Sequence, residues 1–367
     1  MKIALIHDWL NGMRGGERCL EAVCECYPQA ELYSLLYEKG KLSPIIESLP
    51  IHTSFIQKLP WVFTKYRHYL PLFPVAIEQF DLREYEVVVS FNHCVANGVI
   101  TRPQTCHIGY TFTPMRYAWD LYQDYFGKDR LRGISRYLIP YCMNYLRVWD
   151  VAASRRVDYF VAISEHVRKR IEKHYRRPAD VIYPPVDTDF YTPDEHTRQE
   201  DFFLIVSAFA PYKRLDLAIE ACNRLQLPLK IIGQGQEAKQ LKTLAGPTVE
   251  FLGSPSDENV RAYYRRCRAL LFPGEEDFGI VPLEVQACGR PVIAYAKGGV
   301  LETTVPRTTA LYFQEQTVES LITALREFEA ASFSSAAIRA HALQFSKPRF
   351  QREMQTYIEQ KHAQFTP

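Results

Sequence analysis

Two carboxylates eight residues apart, Glu276 and Glu284, bracket a stretch of backbone suited to holding an anion. The stretch begins Phe272-Pro-Gly-Glu-Glu-Asp-Phe-Gly-Ile-Val-Pro-Leu-Glu and runs on to Ile293. Ala269 to Phe272 is apolar enough for a buried strand, and Pro273-Gly274 breaks it. Pro282 suits the first residue of a helix, where its missing N–H costs nothing, and Gly289 suits the left-handed position just past the helix end. Glu276 is then expected in the loop and Glu284 in the first helical turns. Asp277, Phe278, Gly279 and Ile280 lie between them, where backbone N–H groups meet the positive end of the helix dipole. An anion site flanked by carboxylates fits a ligand carrying both phosphates and hydroxyls. A lone carboxylate near a helix start is also a common structural device, so the surroundings have to decide.

The other groups with chemistry are glycine turns, one lysine and one histidine. Lys213 follows Val206-Ser-Ala-Phe-Ala-Pro-Tyr at a helix start, a place where a cation is mildly disfavoured unless it meets an anion. Arg214 beside it is a second candidate cation, or a surface arginine. Gly233 opens Gly-Gln-Gly-Gln-Glu237 after an apolar run. It lacks the third glycine and the acidic partner of a dinucleotide fingerprint, which argues against an NAD enzyme. Asn11-Gly-Met-Arg-Gly15-Gly16 follows the strand-like Ile3 to His7 and precedes a helix expected from about Glu17. His93 stands in Ser90-Phe-Asn-His-Cys; a single histidine is by default structural, and it is kept as a candidate.

The elements that position these groups alternate. Strands are expected at Val87–Phe91, His107–Phe112 and Tyr159–Ile163, with a helix around Glu165–His174. Tyr183-Pro-Pro-Val-Asp187 fixes an extended path, and a second series follows. Its strands are expected near 202–207, 229–232, 249–252, 269–272, 291–295 and 310–313, with helices near 215–225, 236–245, 256–267 and 318–330. Such alternation argues for two parallel sheets covered on both faces. The expected division is a first domain over 1–187, a second over 188–346, and a last helix in 347–367; resemblance to a known family implies that this helix returns to the first domain.

The Glu276-x7-Glu284 string, with Glu276-Asp-Phe-Gly, Leu283-Glu284 and Gly298-Gly299-Val-Leu-Glu302, resembles the signature of retaining glycosyltransferases of family 4. That resemblance implies the GT-B fold: α/β, two Rossmann-like doubly wound domains facing a cleft, acceptor on the first and nucleotide-sugar on the second. It implies that Glu276 holds donor-sugar hydroxyls, Glu284 the ribose, Lys213 the diphosphate, Gly233 the nucleotide, and Gly15 and Gly16 the phosphates and acceptor. Two departures stand out. The family segment His-Thr-Pro-x-Arg-Tyr reads Phe112-Thr-Pro-Met-Arg116-Tyr here, so the histidine beside the donor sugar is replaced and His93 is the candidate substitute. The arginine usually preceding the lysine falls at Ser207 or Ala208, leaving Arg214 to supply the charge. The Pro211-Tyr-Lys-Arg-Leu-Asp pattern is most similar to bacterial mannosyltransferases of O-antigen and capsule assembly, which favours GDP-mannose. The alternatives are a UDP-sugar donor, or a sugar-nucleotide-binding protein without turnover.

Composition sets outer bounds. The 367 residues are 47% hydrophobic and 23% charged, enough for sizeable cores, and a formal net charge of +2 does not suggest a nucleic-acid binder. The nine cysteines are scattered without a metal-binding or disulfide spacing, so reduced thiols are expected. Asp8 interrupts the apolar start, so no signal peptide is expected, and no run reaches the ~18 residues of a membrane span. No metal or cofactor is required. Two aromatic and basic stretches, 57–73 and 128–156, suit a membrane surface or a lipid-linked acceptor as well as an ordinary helix pair. The expected location is the cytoplasm or the inner face of the cytoplasmic membrane.

Overall fold

A computed structural model describes residues 1–127, 131 and 133–366. The chain divides into two units, Met1–Pro185 together with Pro348–Pro367, and Val186–Lys347.

Seven strands form the first unit's sheet among the described residues: β1 (Ile3–His7), β2 (Glu31–Ser34), β3 (Ile51–Thr53), β4 (Val87–Asn92), β5 (Cys106–Thr111), β6 (Tyr159–Ala162) and β7 (Ala179–Val181). All pairings are parallel, in the order β3-β2-β1-β4-β5-β6-β7. Every residue of β1, β4 and β5 is buried, as strands covered on both faces require, and the apolar residues that dominate β1 and the start of β4 make them legible despite the buried His7, Ser90, Asn92, His107 and Thr111. β2, β3 and β7 carry no such signal in the sequence. They have three or four residues each, and β3 and β7 are edge strands with mostly open side chains, so no hydrophobic period develops. Ile6, Leu35, Phe73, Val88, Met143 and Leu146 share one core. The helix Lys347–Gln364 turns Phe350, Met354 and Ile358 inward at four-residue spacing. Phe350 meets Tyr110 of β5 with ring centroids 5.7 Å apart.

The second unit's sheet has six strands among the described residues, β8 (Phe203–Val206), β9 (Leu229–Ile232), β10 (Val249–Gly253), β11 (Leu270–Phe272), β12 (Val292–Tyr295) and β13 (Ala310–Phe313). Their order is β10-β9-β8-β11-β12-β13, again all parallel. Helix Leu215–Leu225 buries Leu215, Ala218, Ile219 and Cys222, the i, i+3, i+4, i+7 stripe of a covering helix. The doubly wound α/β architecture expected from the alternation is therefore present in both units.

In both sheets the chain winds outward from a central strand and returns to that strand's other side. The change of direction lies between β1 and β4 in the first unit and between β8 and β11 in the second. Strand ends diverge there and leave room for a ligand.

The two aromatic stretches fold differently. Residues 57–73 lie in short turns, from Phe55–Lys58 through Val62–Lys65 to Tyr66–Leu72. They bury Val62 and Tyr66 and leave Trp61 72% exposed. In 128–156, Lys128, Asp129, Arg130 and Arg132 lie outside the described residues; Ser135–Ser154 is one helix. Its inner side buries Met143, Leu146, Asp150 and Ala153, and Ile134, Leu138, Tyr141, Tyr145 and Val148 stand in solvent. Among the described residues no helix is long and apolar enough to cross a membrane. All nine cysteines are free.

Candidate active site

The second unit gathers its chemistry at the β8–β11 change of direction. After β8 the chain turns through Pro211–Lys213, and the Lys213 ammonium meets the Glu276 carboxylate of the loop after β11. Both are mostly shielded, with side chains 12% and 23% exposed. The two residues are 63 positions apart in sequence; the adjacency of β8 and β11 brings them together. Close backbone approach makes this possible. A Cβ on Gly274 would lie 2.8 Å from Lys213 Cα, and one on Gly298 would lie 2.5 Å from the Glu276 carbonyl. The Gly299 N–H donates to that same carbonyl at 2.8 Å. The Gly298-Gly299 pair thus pins the Glu276 loop from the strand next door.

Helix Ile280–Ala287 follows, capped by Gly279 in the left-handed region at φ 104°. This corrects the expected start at Pro282, which is instead the third helical residue. The first four N–H groups of any helix lack partners within it, so proline loses nothing there either. Gly289, at φ 78°, holds the left-handed position past the end as expected. Phe278 is buried against Phe345, Asp277 is half-buried in the loop, and Ile280 begins the helix. Glu284 accepts a hydrogen bond from the Tyr264 hydroxyl at 2.8 Å. Tyr264 is fully buried, and burial and then Glu284 hold its phenol well above the usual range. Nothing in the sequence reading singled out Tyr264; its place on helix Asp257–Arg266 gives only an apolar-face signal.

Gly233 has φ 137°, and a Cβ there would lie 1.8 Å from the Ser207 carbonyl, so the turn after β9 is closed to any other residue. Arg214 adjoins Lys213 in sequence and has partners of its own. Its guanidinium bonds both oxygens of Asp216 and reaches Gln316 Oε1 at 3.4 Å. The side amide of Gln316 in turn donates to the Pro273 carbonyl. This ties Arg214 to the structure behind the lysine.

The first unit's candidates also sit at a change of direction. Gly15 and Gly16 begin helix Gly15–Cys26, two residues before the expected start, with the Arg14 N–H donating to Glu17 Oε2 at 3.1 Å. A Cβ on Gly16 would lie 3.3 Å from Phe112 and 3.5 Å from His7 Nε2. Phe112 directly follows β5, 6.2 Å from the His93 ring. His93 follows β4, and its Nδ1 lies 3.1 Å from the Asp8 carboxylate that follows β1. Asp8 is fully buried and accepts the N–H groups of His93, Cys94, Val95 and Ala96 at 2.6–2.9 Å. Burial pushes its carboxyl up, and these donors pull it back. Burial also lowers His93 to about 3, with Arg14 and Arg67 adding to the shift. Asp8 and His7 were not recognised as site residues in the sequence, because a polar pair at a strand end carries no periodic or motif signal. Arg116 lies half-buried beyond β5 near Asp120. The site residues thus form two groups, one in each unit. Among the described residues no cluster of His, Cys, Asp and Glu is arranged to hold a metal.

Residues 190–344 match the family model of glycosyl transferases group 1. An uncharacterized glycosyltransferase of Methanocaldococcus jannaschii is 30% identical over 159 residues, covering 42% of this chain and 44% of that protein. The O-antigen chain mannosyltransferase C of Escherichia coli is 34% identical over 102 residues, 26% of this chain and 28% of that one. The chain spans about half the length of the first curated relatives it matches. Among solved structures, Anabaena HepE in complex with UDP superposes with a TM-score of 0.69 at 15% identity, over 98% of this chain and 100% of that one. The family match is confined to the second unit, and two parallel Rossmann-like sheets with such structural neighbours are the GT-B fold.

Proposed function

We propose that the protein is a retaining, metal-independent glycosyltransferase that moves a hexose, mannose from GDP-mannose in the favoured reading, to a saccharide or lipid-linked acceptor. The observation that carries the proposal is the shielded Lys213–Glu276 pair at the β8–β11 change of direction, beside a glycine-capped helix start. A nucleotide-sugar offers chemistry suited to each residue of the pair. Its diphosphate takes Lys213 and the N–H groups near Gly279, and its sugar hydroxyls take Glu276. Glu284, already held by Tyr264, accepts the ribose hydroxyls.

The anomeric carbon–phosphate oxygen bond breaks with its electron pair leaving on the diphosphate. Lys213 and the helix start stabilise that charge as it grows, without a metal. The acceptor oxygen bonds the anomeric carbon on the face the phosphate leaves, and its proton passes to the departing phosphate oxygen. The second unit holds the donor and the first unit the acceptor. Mannosyltransferases among the curated relatives favour mannose; a solved structural neighbour in complex with UDP keeps a UDP-sugar as the second reading.

A lipid-linked acceptor fits helix Ser135–Ser154. Ile134, Leu138, Tyr141, Tyr145 and Val148 recur at alternating four- and three-residue spacing on its open side, with Arg136 and Arg155 as the exposed charges. Tyrosines and arginines around an apolar stripe suit an anionic headgroup layer. The test of function is nucleoside diphosphate release from GDP- and UDP-sugars, with and without membrane lipid extract, and with EDTA in parallel. Release from one donor that survives EDTA is expected. Nucleotide binding without release from any donor would overturn the enzyme reading, and activity lost to EDTA but restored by Mg²⁺ would overturn metal independence.

A further inference from the structure

We propose that Tyr191 and Arg339 are positioning residues for Glu284. Arg339 fastens the segment that enters the second unit, and the ring of Tyr191 on that segment fixes the Tyr264–Glu284 hydrogen bond. The ribose role of Glu284 rests on the transferase reading above; the hold of Tyr191 on Tyr264 stands apart from it.

The entering segment is bound through its own backbone. The chain passes from the first unit into the second at Pro185–Val186. Beyond that point guanidinium groups take its carbonyls. Arg339 donates to those of Thr188 and Tyr191 at 2.7 and 2.5 Å, Arg261 to that of Phe190 at 3.0 Å, and Arg265 to that of Thr192 at 2.7 Å. Connecting segments ordinarily run over the surface with their carbonyls in water. Charged donors hold these four, and such bonds are roughly twice as strong as neutral ones. Arg339 lies on helix Ser335–Leu343 and donates also to the carbonyl of Ala287, at 2.7 Å, the last residue of helix Ile280–Ala287. One side chain ties the segment to the helix that carries Glu284.

The segment's buried ring is Tyr191. It meets the ring of fully buried Tyr264 with centroids 5.6 Å apart and an interplanar angle of 61°, the edge-to-face arrangement that aromatic pairs favour. Phe190 meets Tyr191 in turn at 4.9 Å and 83°, and the Arg261 guanidinium lies 4.3 Å over the Phe190 ring. The Tyr264 hydroxyl, which donates to Glu284 Oε2 at 2.8 Å, sits at the far end of its ring. A tilt of the ring therefore moves the hydroxyl most, and a shift of under an ångström takes such a contact out of hydrogen-bonding range. Without the Tyr191 ring a cavity opens beside Tyr264, and side chains next to a cavity relax into it.

The return passage is built alike. The chain leaves the second unit at Lys347–Pro348. Just before it, the Phe345 carbonyl accepts the Val186 N–H at 2.8 Å, and the buried Phe345 ring packs on Phe278 with centroids 6.1 Å apart. Each passage thus touches one carboxylate-bearing element: Tyr191 reaches Glu284 through Tyr264, and Phe345 reaches the Glu276 loop through Phe278. The first contact ends on a hydrogen bond to the carboxylate itself, so packing of the Tyr191 ring is felt where Glu284 meets its ligand.

The experiment is a mutant cycle on the full chain with Tyr191→Leu, which keeps an apolar side chain in place, and Tyr264→Phe, which keeps the ring contact and removes only the hydroxyl. In ligand-free protein Tyr264→Phe should lower Tm, and that loss should shrink by at least half when Tyr191→Leu is already present, because the hydroxyl has then lost its geometry. Two rings that merely pack give additive losses, and additivity overturns the proposal. In calorimetric titration with GDP and UDP, Tyr191→Leu should raise Kd about tenfold, the effect of one weakened bond to a charged group. Tyr191→Phe, which retains the ring, should recover most of the affinity. In turnover the loss should fall on donor KM more than on kcat, since Lys213 and Glu276 lie on other elements. An unchanged Kd in Tyr191→Leu, or a loss confined to kcat, overturns the proposal. The Arg339→Lys ammonium is a point charge where the guanidinium fork holds three carbonyls; it should weaken the nucleotide in the same direction, and unchanged affinity there overturns the clamp. If wild-type protein binds neither nucleotide, the transferase reading fails, while the ligand-free cycle still decides whether Tyr191 positions Glu284.

Discussion

Replacing each carboxylate of the Glu276–Glu284 pair by alanine should produce two different defects, because the structure gives them different partners. Glu276 holds Lys213. Its removal leaves an ammonium that a diphosphate can still neutralise, so nucleotide affinity should change little. What disappears, on the proposed function, is the contact to the reacting sugar. Removing one such electrostatic contact typically lowers kcat ~10²–10³-fold, or about 3–4 kcal/mol of transition-state stabilisation. Glu284 instead accepts from the buried Tyr264 hydroxyl. Glu284→Ala leaves that hydroxyl unpaired, at about 1–3 kcal/mol of stability, which for a unit of this size lowers Tm by roughly 3–10 °C. Loss of hydrogen bonds to a charged group, about 1.5–3 kcal/mol, should also weaken nucleotide binding by about 10- to 150-fold. Calorimetric titration with nucleoside diphosphate gives the binding constants, a coupled diphosphate-release assay gives kcat, and a thermal melt gives the stability. Small, equal effects of the two variants, or a binding defect confined to Glu276→Ala, would refute the assignment.

Three further outcomes follow from single features. Gly233→Ala places a Cβ against the Ser207 carbonyl at φ 137°, and should lower stability by at least ~2 kcal/mol; an unchanged urea midpoint would contradict that turn. Asp150, buried with Trp119 Nε1 and the Tyr175 hydroxyl donating to it, has its carboxyl pushed up to about 7 by burial. The folded state then keeps a proton that the unfolded state loses between about pH 4 and 7, so stability falls as pH rises through that window. The Tm of wild type minus that of Asp150→Asn should decline from about pH 5 to about pH 8; a flat difference would refute the shift. Finally, the chain should sediment with phosphatidylglycerol vesicles and the Tyr141→Glu/Tyr145→Glu double variant should stay in the supernatant, whereas equal partitioning would remove the lipid-facing role of helix Ser135–Ser154.

Some of this molecule was decided locally, and those parts were legible. β1, β4 and β5 announce themselves because a strand buried on both faces is mostly apolar, even with polar residues such as Ser90 and His107 among them. The Gly289 cap and the Gly233 turn are readable because few residues other than glycine tolerate their backbone angles. The Glu276–Glu284 spacing, set within one loop and one helix, needed no tertiary contact to be noticed.

Tertiary structure decided the rest. The pairing of Lys213 with Glu276, the hold of Tyr264 on Glu284 and the diversion of Arg214 to Asp216 all depend on neighbours. So does the meeting of Asp8 with His93, 85 residues apart in sequence. Each hinges on which strands lie side by side. Hydrophobic patterning says that a segment is a buried strand but not which strand it adjoins, since any apolar neighbour satisfies the same burial. Only the completed sheet places the ends of β1 and β4, or of β8 and β11, within hydrogen-bonding reach of one another.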